Sequence, residues 1–191
     1  SPDSSLSLKF EVKDGKLFYS VTKNEKLIIA YSQLGIVADK FNLSENLYLL
    51  QVSESSHNET WTQVWGEQKE IVDNHNELAV TLGSNENNLN MIIRFRLFND
   101  GLGFRYEIPE ETFIEKFNIM DEITEFNFVE DSESWWIPAY AYRRYEFLYA
   151  NTKISEISRA KFADLIEYLN PEDFIGPEAV QTPFTTQRSD G

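Results

Sequence analysis

The chain has no cysteine, and histidine occurs only at His57 and His75. Disulfides, thiolate metal sites and cysteine nucleophiles are therefore excluded, and imidazole chemistry is confined to two positions. Lysine and arginine number 17 against 32 acidic residues, for a formal net charge of −15. So acidic a surface repels phosphate backbones and anionic lipid, which makes nucleic acid and membrane surfaces poor partners. Neutral sugars, cations and basic proteins are left. No apolar run approaches the roughly 20 residues of a membrane span, and no Gly-rich phosphate loop, Gly-x-Ser-x-Gly elbow or zinc motif is present. No signal peptide is visible either; the opening Ser1-Pro2-Asp3 reads as a start from which a signal has been removed.

What the chain does have is period-two patterning. With hydrophobic residues at 41% and aromatics at 14% of 191 residues, it holds enough apolar material for a packed core despite its charge. Leu6, Leu8, Phe10 and Val12 alternate with polar residues, and Asp14-Gly15 turns the chain into Leu17, Tyr19 and Val21. Leu27 to Ile29 and Leu34 to Ile36 read as a strand pair. Leu47 to Val52 reads as a short strand followed by a polar loop, Ser53 to Thr60, and Leu78 to Leu82 as another strand. Ile93, Phe95 and Leu97 alternate with Arg94 and Arg96, then Asn99-Asp100-Gly101 returns the chain through Leu102, Phe104 and Tyr106. Ser158 to Asn170 alone reads as a helix, with Phe162, Leu165, Ile166 and Leu169 at i, i+3, i+4 and i+7. Phe184 to Gln187 closes the series as a terminal strand. Many short strands with one helix predict an all-β sandwich or barrel over residues 1–191, a single domain.

Few residues stand out for chemistry. Glycoside hydrolysis needs two carboxylates at a set separation, and the runs Glu110-Glu111 and Glu130-Asp131-Glu133 read as solvated charge instead. Glu67 follows Trp65 and Gly66, where aromatic rings would desolvate it; the plainer reading pairs it with Lys69 or an arginine. His57 and His75 fall in Asn/Ser-rich stretches without metal-ligand spacing. His75 with Glu77 or Glu67 would supply the acid and base of a mutarotase-type epimerase. The strongest ligand candidate is the run holding Trp135, Trp136, Tyr140, Arg143 and Arg144. Aromatic faces stack on pyranose rings and arginines donate to hydroxyls, but the same residues build cores and protein interfaces.

These segments together resemble the N-terminal domain of glycoside hydrolase family 97. The resemblance rests on Trp61-x-x-Val64-Trp65-Gly66-Glu67, Asn76-Glu77-Leu78 and Phe95 through Tyr106. It continues in Trp135-Trp136-Ile137-Pro138-Ala139, Tyr145 to Tyr149 and Thr182-Pro183-Phe184-Thr185. It implies a β-super-sandwich of the galactose mutarotase-like kind, in which the helix Ser158 to Asn170 is a short insertion, followed in the parent by a catalytic (β/α)₈ barrel. It further implies an exported, periplasmic or secreted, exo-acting α-glucosidase or α-galactosidase that depends on calcium. In such a parent the barrel is this domain's partner and supplies the acid and base, and an oligosaccharide is the substrate. The calcium-ligating glutamate of that family lies in a His-Glu-Ala segment past Gly191, so no catalytic residue, metal ligand or cofactor is expected in this chain. The alternatives are a free-standing carbohydrate-binding module and a mutarotase-like epimerase. For either role as wall or binder, Trp135, Trp136, Tyr140, Arg143, Arg144 and Glu67 are the residues expected to meet sugar or barrel.

Overall fold

The computed structural model describes residues 1–86, 89–109, 116–140, 147–158, 160 and 175–190. The chain separates into two compact units, Ser1–Val129 and Glu130–Gly191. No shift of composition marks that division in the sequence. No described helix is long and apolar enough to cross a membrane.

The first unit is built from antiparallel sheets. Strands β1 (Leu6–Lys13), β2 (Lys16–Lys23) and β3 (Lys26–Leu34) form one sheet in the order 1-2-3. Asp14 and Gly15 take φ of 52° and 74°, and Asn24 and Glu25 take 49° and 65°. Both connections are two-residue turns with positive φ at each position, the geometry that matches the right-handed twist of a hairpin. Gly15 is required for a second reason: a Cβ there would lie 2.9 Å from the backbone nitrogen of Asn46. The second sheet runs β6 (Leu47–Thr62), β7 (Glu70–Ser84), β8 (Asn90–Leu97) and β9 (Leu102–Glu107) in sequence order. A third, small sheet joins β4 (Ile36–Ala38) to β5 (Asn42–Leu43) and β10 (Ile119–Glu122).

Alternation decides which side chains meet. Met91, Ile93 and Phe95 are fully buried on one face of β8, and Leu17, Tyr19 and Val21 on one face of β2. They pack in a common core with Val80 and Leu82 of β7 and with Ala38, Phe41 and Leu43 from the small sheet. Phe95 sits among three rings, with centroids 5.9 Å from Phe10, 6.4 Å from Tyr19 and 5.7 Å from Phe104. Polar groups in and beside the core bond across long sequence separations: the Tyr19 hydroxyl donates to the Glu125 carbonyl at 2.8 Å, and Gly35 N–H donates to the Tyr106 hydroxyl at 3.1 Å. Residues 123–128 lie extended beside β3, held by Ile123 and Glu125 N–H groups donating to the Gly35 and Gln33 carbonyls.

Two sequence readings are corrected here. Lys26–Leu34 is one continuous strand, with Ile36–Ala38 a separate short strand in another sheet. Ser53 to Thr60 is no loop but the outer half of β6, paired with β7 out to Thr62 opposite Glu70. That outer half is solvent-exposed, and a strand wet on both faces has no apolar alternation to betray it. Its pairing propagates instead from the anchored end, where Leu47 faces Ser84. Because β8 pairs with β7 only from Asn76 to Gly83, Glu70–His75 and the facing part of β6 make a two-stranded ribbon.

In the second unit β11 (Glu133–Trp136) lies between β12 (Ala150–Lys153) and β13 (Thr185–Gln187). The terminal strand expected at Phe184 to Gln187 is thus the edge of this sheet. A 3₁₀ turn at Ile154–Glu156 follows β12. Asp131 caps it by accepting from the Ser155 N–H and hydroxyl, both at 2.8 Å, and Glu130 accepts from the Ser189 N–H at 3.0 Å. Glu130 and Asp131 of that acidic run therefore tie backbone, while Glu133 is exposed. The expected helix falls, apart from Ser158 and Ala160, outside the described residues.

Phe95→Ala removes a fully buried ring from the centre of the first unit and is expected to cost about 3–5 kcal/mol. Urea unfolding checks this: the midpoint should fall while the slope with denaturant is kept.

Candidate functional site

The alternation of β11 divides the tryptophan pair. Trp136 points into the small core of the second unit, 1% exposed, beside Ala150, Tyr140 and Phe147. Its indole Nε1 donates to Thr152 Oγ1 at 3.0 Å, so neither its faces nor its N–H are open to a sugar. Trp135 takes the opposite face, partly exposed, opposite Asn151 and Thr185 on the neighbouring strands. Tyr140 is half-buried and packs edge-on against Phe147 at 5.6 Å. Arg143 and Arg144 lie outside the described residues. Among the described candidates of this run, then, Trp136 is core, while Trp135 and Tyr140 are partly open.

Glu67 belongs to the first unit, at the end of the β6–β7 ribbon. It is exposed, and so are its neighbours: Trp65 is 88% and Val64 97% accessible. The tryptophan does not shield the carboxylate, because the turn that carries both, with Gly66 at φ 146°, projects past the sheet. The Gln63 side chain spans that turn by donating to the Gln68 carbonyl.

The outer face of the second sheet carries a charge network. Arg94 Nε donates to Glu107 Oε1 at 2.7 Å and its Nη2 to Glu107 Oε2 at 3.0 Å, a bidentate pair. Its Nη1 reaches Glu77, whose other oxygen accepts from Arg96 Nε at 2.8 Å, and Arg105 adds a further donor to Glu107 at 2.6 Å. Hydrogen bonds from Arg94 bring the Glu107 carboxyl down from its ordinary 4.5 to about 2. Burial pushes Glu77 up, but the bonds from Arg96 and Arg94 outweigh it and leave it below the usual range. Both acids are held as carboxylates and have no basicity to offer a substrate.

The two histidines, separate in sequence, face one another. His57 on β6 stands directly opposite His75 on β7, and Glu59 directly opposite Asp73. Period two puts all four side chains on one face of the ribbon. His75 is 2% exposed, under the Phe98 ring at 5.1 Å, and its Nδ1 lies 2.5 Å from Asp73 Oδ1. With Glu77 clamped by arginines and His75 buried on Asp73, the imidazole–carboxylate pair an epimerase would use is already committed to internal bonds. The cross-strand cluster itself escaped the sequence reading, since it appears only once Ser53 to Thr60 is a strand. Nor does it suit calcium: imidazole nitrogen is a poor ligand for a hard cation that takes six to eight oxygens.

Comparison with known proteins places this architecture. A profile of the family described as "Glycosyl-hydrolase 97 N-terminal" matches residues 1–191. A glycoside hydrolase family 97 enzyme from Pseudoalteromonas sp. strain K8, solved in complex with panose, is similar at TM-score 0.82 and 30% identity, covering 100% of this chain. The same organism's enzyme in complex with acarbose is similar at TM-score 0.81 and 31% identity, again over 100% of this chain. A β-arabinopyranosidase is similar at TM-score 0.75 and 25% identity over 82% of this chain. The chain spans 26% of the length of each of these structures.

The charge network makes the first unit acid-sensitive. Since Glu107 is depressed in the folded state, its contribution is complete above about pH 4.5 and is lost as the pH falls towards about 2. Glu107→Gln is expected to lower the melting temperature at pH 7 and to flatten its fall over that acid range, measured by circular dichroism.

Proposed function

The chain belongs to the glycosyl-hydrolase 97 N-terminal family, and from that premise we propose that it is the non-catalytic first domain of a calcium-dependent, exo-acting α-glycosidase. In this reading it packs against a catalytic barrel and helps to wall the sugar pocket that barrel opens. The barrel supplies acid, base and calcium ligands. This chain supplies shape.

The observation that carries the reading is the apolar end of the β6–β7 ribbon. Val64 and Trp65 are almost fully accessible, with Trp61 at 46% and Val72 at 65%. Rings and branched side chains gathered at a projecting end mark a contact surface. Trp135 is a second, smaller candidate. In this reading Glu77 and Glu107, held by arginines, take no part in catalysis. The sugar is chosen outside this domain: domains of this shape accompany enzymes bound to panose or acarbose and a β-arabinopyranosidase alike. An α-glucoside or α-galactoside is the proposed substrate of the parent, and the periplasm or medium its place of work.

The 191-residue chain is expected to hydrolyse no α-glucoside and to gain no melting temperature from millimolar calcium, since only specific binding to the native state raises stability. A sharp rise with calcium would put a ligand set inside this chain and overturn the placement. Trp65→Glu supplies a positive test. In the isolated chain an exposed substitution of this kind shifts stability within about 0.5 kcal/mol, whereas in the longer protein it should lower both melting temperature and turnover. Equal, negligible effects in both would remove the ribbon from the interface.

A further inference from the structure

We propose that His57, Glu59 and Asp73 form a binding site for a first-row divalent metal ion, Zn²⁺ by preference, on one face of the β6–β7 ribbon. The ligand atoms of the three side chains all lie within 4.8 Å of one another. His57 Nε2 is 3.2 Å from Glu59 Oε1 and 3.8 Å from Asp73 Oδ2. Donor atoms around a tetrahedral ion with bonds of about 2.0–2.2 Å stand roughly 3.4 Å apart, so these two separations bracket what zinc requires.

The strand pairing builds the site from four residues that are cross-strand partners, His57 with His75 and Glu59 with Asp73. His75 takes the supporting position. Buried beneath Phe98, it donates from Nδ1 to Asp73 Oδ1 and leaves Oδ2 turned towards His57. A first ligand oriented by a second, buried hydrogen-bonding group is the usual construction of protein metal sites. One imidazole and two carboxylates favour a transition ion over calcium or magnesium, which prefer oxygen alone. The net charge of −15 adds a general attraction for cations. Three protein ligands leave a fourth position to water. The site also has a mechanical consequence: between Glu70 and His75 no third strand pairs with the ribbon among the described residues, and an ion there would fasten β6 to β7 below the apolar end.

Zn²⁺ titrated calorimetrically into the 191-residue chain, in a buffer that does not bind it, tests the proposal. The expected result is saturable binding of one ion per chain together with a zinc-dependent rise in melting temperature. His57→Ala, at a side chain 43% exposed and so safe for folding, should abolish it. Asp73→Asn should weaken binding, and His75→Gln should do so by about 10–100-fold, the range for an outer-shell partner. Calcium at the same concentrations should neither bind nor compete. Substitution by Co²⁺ should give the intense visible absorption of a four-coordinate ion, absent in His57→Ala. No saturable zinc binding, equal binding by His57→Ala, or calcium binding as tight as zinc would each overturn the assignment.

Discussion

Strand β7 serves two surroundings, and most of the first unit depends on how it divides. From Asn76 to Gly83 it is a central strand, flanked by β6 and β8, with Val80 and Leu82 driven into the core. From Glu70 to His75, among the described residues, it pairs with β6 alone. The buried half provides the free energy, through apolar area removed from water; the other half inherits its register from that anchor. A slip of one residue would carry Val80 and Leu82 to the outer face, so the register is strictly specified. That same constraint sets His57 opposite His75 and Glu59 opposite Asp73, with only the Phe98 ring packed on His75 among the contacts described there.

The excess of acid is handled locally. Arginines are few, and Arg94, Arg96 and Arg105 gather on one sheet face, where they hold Glu77 and Glu107. Half-buried, hydrogen-bonded pairs of this kind contribute more than isolated surface pairs. In the second unit carboxylates serve a different end, with Glu130 and Asp131 accepting from backbone N–H groups at turns. Asp73 meets an imidazole instead, 2.5 Å from His75 Nδ1.

The aromatic residues divide along similar lines. Trp136 and Trp135 are adjacent in sequence, yet one is core and the other half-open, because successive side chains of a strand point to opposite faces. Trp65 is exposed for the opposite reason: it sits past the end of the paired ribbon, where no sheet face can cover it. Composition alone cannot distinguish a tryptophan that holds a core from one that offers a surface.

Much of the architecture was legible. The hairpins at Asp14-Gly15 and Asn99-Gly101 follow from turn chemistry, and the core faces of β2 and β8 from strict alternation of large apolar residues against polar ones. Family membership was legible too, through the order of motifs from Trp61 to Thr185. The outer half of β6 was not, because its residues are polar on both faces and its extended form comes from pairing with a distant strand. The cluster of His57, Glu59, Asp73 and His75 was hidden for the same reason, and so was the loss of Trp136 to the core. By itself the sequence determined where the chain turns and which side chains must leave water, since both depend on neighbours along the chain. Which polar side chains meet across strands was decided by the tertiary structure alone, since that depends on a register anchored some distance away.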